Sequence, residues 1–327
     1  MRAAMCRTYG DPDVIGVEEV PPPEIGPGLV RVAVRAGAIN FPDVLLIANR
    51  YQVSVPVPFI PGSEFAGEVT EVGDGVESFR PGQRVFGSTM VGAFAEEVVV
   101  SASSLTDIPN GVTDDVAAAF GVAFRTAFHV LRSVAQVRTG DELIVLGAGG
   151  GVGSAAVQLG ALLGAVVTAI ASSPEKLEAA KACGATRLIQ HQAGSDLRAA
   201  LKEALAQGAD VVIDPVGGGL AEPALRSLRF GGRFVTVGYA SGTIPHIPLN
   251  LVLLKGVTIL GFQFRDFAIH QPEEMVNNEV ELLELLVTGQ ARPVIGATFD
   301  LNEVAEALRL VGDGQAIGKV VLRTGSV

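Results

Sequence analysis

The sequence predicts an α/β protein of two domains, a doubly wound parallel sheet inserted into a β-rich domain. Three observations carry that expectation. The chain has 327 residues, more than one hydrophobic core usually organises. Across residues 121–261, short apolar runs alternate with amphipathic helical stretches, the rhythm of a parallel sheet with right-handed crossovers. On either side of that stretch the rhythm is missing. The domains follow as 121–261 for the insertion, and 1–120 plus 262–327 for its host.

The host domain opens with short strands and irregular loops. Residues 29–36 alternate Val and Arg as a half-buried strand does, and 64–72 and 84–86 follow the same style. Pro21, Pro22, Pro23, Pro27, Pro56, Pro58 and Pro61 exclude long helices here. Thr113-Asp-Asp-Val then opens an Ala-rich helical stretch to about Val137, with Gly121 as the place where a break could fall. Strands follow at 143–146, 166–170, 187–189, 211–213 and 234–237, with a helix over Pro174–Ala182 among the segments between them. After Gly261 the spacing predicts one amphipathic helix over Pro272–Val287, stopped by Gly289. Asp300 with Glu303 reads as a capping box for a second helix, and 317–322 as a closing strand.

Composition narrows the function. A net charge of −11 with no Lys/Arg cluster argues against a nucleic-acid partner. Cys6 and Cys183 make no disulfide framework, and a reduced cytoplasmic setting fits them. No apolar run approaches the roughly 18 residues of a membrane span, and the N-terminus lacks the apolar stretch of a signal peptide.

The sharpest motif is Leu146-Gly-Ala-Gly-Gly-Gly-Val-Gly153, which follows a strand and opens a helix. Glycines there let backbone turn tightly against a pyrophosphate, and the helix N-terminus offers N–H groups and a positive dipole end. The register is Ala148-x-Gly150-x-x-Gly153, with Gly149, Gly151 and Val152 completing the cradle of a Rossmann-type dinucleotide site. The ribose-binding carboxylate of NAD-selective folds would fall at Ser172. Ser172, Ser173 and Lys176 favour a 2′-phosphate and hence NADPH. A plainer reading makes Ser172 the cap of the Pro174 helix and Lys176 a solvated side chain, and both can hold. Val216 in Asp214-Pro-Val-Gly-Gly218, and Gly238, Tyr239 and Ser241, follow two further strands at the carboxyl edge where ligands of open α/β sheets bind.

Gly37-Ala-Ile-Asn-Phe-Pro-Asp-Val-Leu45, Pro58-Phe-Ile-Pro-Gly-Ser-Glu-Phe-Ala-Gly67, Pro81-Gly-Gln-Arg-Val85, the glycine turn, Asp214-Pro-Val-Gly-Gly218 and Gly318-Lys-Val-Val-Leu322 occur in one order. In this the whole chain resembles a zinc-independent medium-chain dehydrogenase/reductase of the NADPH:quinone oxidoreductase branch. The resemblance implies a GroES-like catalytic domain built from both chain ends around the Rossmann domain, and a homodimer. It implies hydride transfer from NADPH to a quinone. The same scaffold serves reduction of an activated C=C bond in an enone or enoyl thioester, and non-catalytic NADPH-binding proteins. Zinc relatives carry Cys where this chain has Asn40 and His where it has Ser63, so no metal is expected. Zinc needs three or four N/S/O ligands at sensible spacing, and the four histidines, scattered singly, read as ordinary surface or core side chains. The resemblance points to Asn40, Asp43, Tyr51 and Thr126 along the substrate cleft, with Asn40 and Tyr51 orienting a carbonyl oxygen. It adds His191, Phe262, Phe264 and Lys319 to the cofactor contacts. Arg125 is unusual beside Thr126 and would suit an anionic substrate. The apolar stretch 249–254, then 257–260, is long for a surface segment of one domain, and 257–260 reads as an edge strand that pairs with its copy in a second subunit.

Overall fold

The computed structural model describes residues 1–192 and 194–325. It divides into two compact units, Met1–Val122 with Ile295–Val327, and Ala123–Val294.

In the first unit, β1 (Arg2–Cys6) pairs antiparallel with β2 (Ile15–Glu19). Next come β3 (Leu29–Ile39), α1 (Phe41–Ile47), β4 (Glu64–Val72), β5 (Arg84–Ser88), β6 (Glu97–Ser101) and β7 (Leu105–Asp107). α2 (Asp114–His129) begins in this unit and ends in the next. β3 alternates because one face meets a core of Val30, Val32, Val34, Phe65, Phe94 and Val98. Gly67 is required at the β3–β4 pairing, since a Cβ there would lie 2.0 Å from the Ala33 carbonyl oxygen.

The second unit holds β8 (Glu142–Leu146), α3 (Gly151–Leu162), β9 (Val166–Ala171), α4 (Pro174–Ala182), β10 (Arg187–Gln190), α5 (Leu197–Ala204) and β11 (Ala209–Asp214). It continues with α6 (Ala221–Arg226), β12 (Leu228–Thr236), α7 (Leu249–Lys255), β13 (Thr258–Gly261), α8 (Phe264–His270) and α9 (Pro272–Val287). Its sheet runs β10-β9-β8-β11-β12-β13, every pair parallel. Strand order therefore reverses between β8 and β11, the switch point where a doubly wound sheet opens a crevice for a ligand. β14 (Ile295–Asp300), α10 (Val304–Gly312) and β15 (Lys319–Arg323) return to the first unit, where β15 pairs antiparallel with β3.

Three expectations need correction. Residues 262–294 belong with the second unit. Asn278 on α9 donates to Ser133 at 2.8 Å, and Arg125 donates to Glu279 at 2.8 Å. An amphipathic helix reveals that it has an apolar face but not which domain receives it. The C-terminal segment does contain a β-α-β unit, because β14 and β15 are parallel and joined by α10. Finally, α2 runs through Gly121 without a break. The glycine is there because the Glu64 carboxylate presses on the helix, 3.2 Å from where a Cβ would stand.

Candidate active site

The cofactor-binding residues cluster at the carboxyl edge of the second unit's sheet. β8 ends at Leu146, the chain turns, and α3 starts with Gly150 as its N-cap. That cap has no side chain, so the first turn keeps its N–H groups for an outside acceptor. Gly153 is obligatory, since a Cβ would sit 2.0 Å from the Gly147 carbonyl oxygen. At the end of β9, Ser173 and not Ser172 caps α4, accepting from the Lys176 N–H at 3.4 Å. This leaves Ser172 to accept a hydrogen bond from Lys176 Nζ at 3.3 Å, at an exposed position. Burial lowers the Lys176 ammonium from the usual lysine range. Gly149 faces the same lysine, and a Cβ there would lie 2.5 Å from Lys176 Cβ. His191 closes this corner. Its N–H donates to the Ala171 carbonyl, and its Nδ1 lies 2.9 Å from the Ser195 hydroxyl.

The loops after β11 and β12 are zipped together. Asp214 Oδ1 accepts from the N–H groups of Val216 at 2.8 Å and Gly217 at 2.7 Å. The Ser241 N–H donates to the Val216 carbonyl, which brings Ser241 and Tyr239 beside Val216. Burial raises the Asp214 carboxyl above the ordinary aspartate range, opposed by those two N–H donors. Thr126 lies half-buried on α2 in this unit. Phe262 and Phe264 form a ring cluster with His129 and Phe267, at centroid separations of 4.9 to 6.3 Å. Arg125 is ion-paired with Glu279, so its charge is neutralised and the case for an anionic substrate loses its basis.

The first unit holds the other cluster, organised around a buried ion pair. Lys319 on β15 and Glu64 on β4 pair at side-chain exposures of 3% and 1%. Lys319 Nζ also donates to the Ile39 carbonyl at 3.1 Å and to Asn40 Oδ1 at 2.6 Å. An ammonium has three donors, and all three are engaged. Lys319 is thus an internal cation of the first unit. Asn40 Nδ2 in turn donates to Glu64 Oε1 at 2.9 Å and Ser63 Oγ at 3.2 Å. Both of its amide hydrogens have acceptors within the protein, so Asn40 arranges its neighbours. Glu64 Oε2 accepts from the Val122 N–H at 2.7 Å, which ties this cluster to α2.

Asp43, in the first turn of α1, is fully buried. Its Oδ2 accepts from the Asn40 N–H at 2.7 Å. Burial raises the carboxyl to about 7, against the Asn40 N–H, the Ser63 hydroxyl and the Lys319 charge, which lower it. Tyr51 is half-buried, and burial followed by the nearby Asp43 charge raises its phenol. Its hydroxyl accepts from Gln52 at 3.4 Å. Sequence reading missed Glu64 and Ser63 as members of this cluster. The available signal was a pair of opposite charges, Glu64 and Lys319, each set in an apolar strand.

Comparison with known proteins gives the family. Residues 26–110 match the alcohol dehydrogenase GroES-like domain, and residues 151–284 match the zinc-binding dehydrogenase domain. Quinone oxidoreductase-like protein 2 of Bos taurus is 37% identical over 322 residues, covering 98% of this chain and 92% of that protein. The chain belongs to the quinone oxidoreductase family of medium-chain dehydrogenases/reductases. The Escherichia coli quinone oxidoreductase complexed with NADPH superposes with a TM-score of 0.90, at 25% identity over 99% of this chain and all of that one. A mycocerosic acid synthase-like polyketide synthase of Mycobacterium tuberculosis is 29% identical over 97% of this chain, which spans 15% of that protein.

In this quinone oxidoreductase family member the donor set does not fit the zinc that one domain description evokes. The amide of Asn40 and the hydroxyl of Ser63 are weak ligands beside thiolate and imidazole. The Lys319 ammonium already sits on Asn40 Oδ1 and Glu64, where it would repel a second cation. Among the described residues, no helix is long and apolar enough to cross a membrane.

Proposed function

We propose that this chain is an NADPH-dependent reductase that passes a hydride to a quinone without zinc. The observation that carries the reading is the pairing of Lys176 with exposed Ser172 beyond the glycine turn, at the place where an NAD-selective fold puts a carboxylate. Gly149, Gly150, Gly151, Val152 and Gly153 would hold the pyrophosphate on the N–H groups opening α3. Ser172, Ser173 and Lys176 would take the 2′-phosphate, with His191 alongside. Val216, Gly238, Tyr239 and Ser241 would floor the nicotinamide end. When bound, NADPH supplies the hydride, and the protein's task is to position the reactants and exclude water. Tyr51 keeps a phenol that donates to a substrate oxygen. Positive charge that zinc relatives draw from the metal is replaced in part by Lys319, which fixes Asn40 and Glu64.

A second reading, reduction of an activated C=C bond, is favoured by the likeness to the polyketide synthase. Both are tested by following NADPH oxidation with a panel of quinones and enones after exhaustive chelation. Turnover with quinones supports the first reading, and turnover with enones alone supports the second. NADPH binding without turnover of any of them supports a binding protein. Activity that is lost with stoichiometric zinc removes the metal-free mechanism.

We also propose a homodimer. β13 is the outer strand of its sheet, and Leu249, Leu253 and Leu254 on the neighbouring α7 are 77%, 81% and 76% exposed. An unpaired edge beside an apolar face is suited to a second copy of the chain.

A further inference from the structure

Reduction of a quinone or an enone takes up a proton as well as a hydride, and a source for that proton has not been assigned. We propose that the Asp43 carboxyl stores it and that the Ser63 hydroxyl carries it to the substrate. The inference rests on the reductase reading above. Its geometric basis is the cluster in the first unit. Asp43 is fully buried, and its Oδ2 accepts from the Asn40 N–H. Oδ1 is buried with no hydrogen-bond partner among the described residues. A buried carboxylate oxygen left so is costly, whereas a protonated one becomes a donor. The hydroxyl at hand is that of Ser63, which lowers the carboxyl by donating to its ionised form and can turn to accept once Asp43 carries the proton. Ser63 is partly exposed, so it links the sealed carboxyl to the outside. One lone pair of Ser63 Oγ already accepts from Asn40 Nδ2 at 3.2 Å. Asn40 is itself held by Lys319, so the hydroxyl is oriented by a fixed frame.

The charges around Asp43 favour this use. Lys319 on β15 favours the carboxylate, Glu64 on β4 opposes it, and burial outweighs both. Tyr51, beyond α1, is the third titratable neighbour. α10 packs on α1, but its charged residues Glu306 and Arg309 are exposed, and Arg309 is paired with Asp13. A carboxyl that titrates near 7 is protonated in part at neutrality, the condition in which an acid is both loaded and able to release.

The step balances simply. The hydride brings two electrons to the substrate and leaves it an anion. The Ser63 hydroxyl proton goes to that anion, and the Asp43 proton moves to Ser63 Oγ. The Asp43 carboxylate then regains a proton from solvent. One quinone and one proton become, with the hydride, one hydroquinone.

The test begins with the protein free of cofactor. Infrared spectra with isotope-labelled aspartate, from about pH 5 to about pH 9, should show a protonated carboxyl that disappears with a midpoint of about 7. It should be missing from Asp43→Asn. Absence of such a band in the wild type overturns the proposal, whatever the substrate proves to be. With a turned-over substrate, Ser63→Ala should lower kcat about 10²-fold while leaving NADPH affinity unchanged, and Ser63→Thr should restore it. Wild-type kcat should decline above about pH 7, and Asp43→Asn should lose that limb. Full turnover with an unaltered pH profile in Ser63→Ala overturns the proposed exit. Absence of turnover with every quinone and enone counts against the reductase reading instead, and the infrared band still decides the state of Asp43.

Discussion

Lys319 Nζ donates to Asn40 Oδ1 across 2.6 Å, although 279 positions separate the two residues in sequence. The contact settles which way the Asn40 amide faces, because an ammonium only donates and so must meet the oxygen. The amide nitrogen is thereby turned to Glu64 and Ser63, and the whole cluster takes one arrangement.

Removing the cation should expose how much depends on it. Lys319→Met leaves the Glu64 carboxylate buried without its counter-ion, which costs about 3–5 kcal/mol. Adding Glu64→Gln should recover most of that loss. Urea denaturation of the single and double variants checks both, and a single variant as stable as wild type would contradict the ion pair's place in the fold.

Tyr51→Phe should lower turnover by at most about 10²-fold with little change in NADPH affinity, as expected for one hydrogen bond to developing charge. Asn40→Ala acts differently, by releasing Ser63 and Glu64, so it should lower both turnover and stability. Steady-state kinetics beside thermal melts separates the two patterns. Unchanged turnover in Tyr51→Phe would remove the phenol from the reaction.

Cofactor choice should follow Lys176. A charge-assisted contact is worth roughly 1.5–3 kcal/mol, so Lys176→Ala should weaken NADPH by about one to two decades and leave NADH nearly unchanged. Ser172→Asp should invert the preference. Fluorescence titration with both nucleotides reads this directly, and equal NADPH affinity in wild type and Lys176→Ala would assign the phosphate to another group.

The pH dependence of stability has a definite sign. Asp43 ionises at about 7 in the folded protein against an ordinary 3.8. Between those values the unfolded chain holds fewer protons at this residue, so its contribution is fully present below about pH 4 and is lost as pH rises to about 7. The gap corresponds to about 4 kcal/mol. Denaturation across this range should show the decline in wild type relative to Asp43→Asn, and parallel curves would show an ordinary Asp43.

Self-association should depend on α7 and β13. Wild-type protein should sediment as a dimer at micromolar concentration, and Leu253→Asp should shift it to monomer. A wild-type monomer would contradict the proposed interface.

Much of the second unit was legible because its signals are local. Pro174 and Pro272 mark the first turns of α4 and α9, whose bounds follow from residues within a few positions. The glycine turn likewise encodes a strand, a bend and a helix in one short run. The ion cluster was not legible for the opposite reason. Glu64 and Lys319 lie 255 positions apart, and each alone reads as a charge at a strand end. The break weighed at Gly121 shows the same limit. A helical glycine usually signals weakness, but here it accommodates a carboxylate from a distant strand.

The return of the C-terminus has a consequence for synthesis. β15 lies between β14 and β3, and it brings the only charge that neutralises buried Glu64 among the partners described here. A nascent chain therefore carries β3 paired with β4 and β6 but without β15 until residues 319–323 have left the ribosome. The second unit, encoded without interruption from residue 123 to 294, has all its strands well before that moment. Chains stalled so that residue 300 has just left the ribosome should resist protease across the second unit and be cut in the first, and emergence of residues 319–323 should protect both.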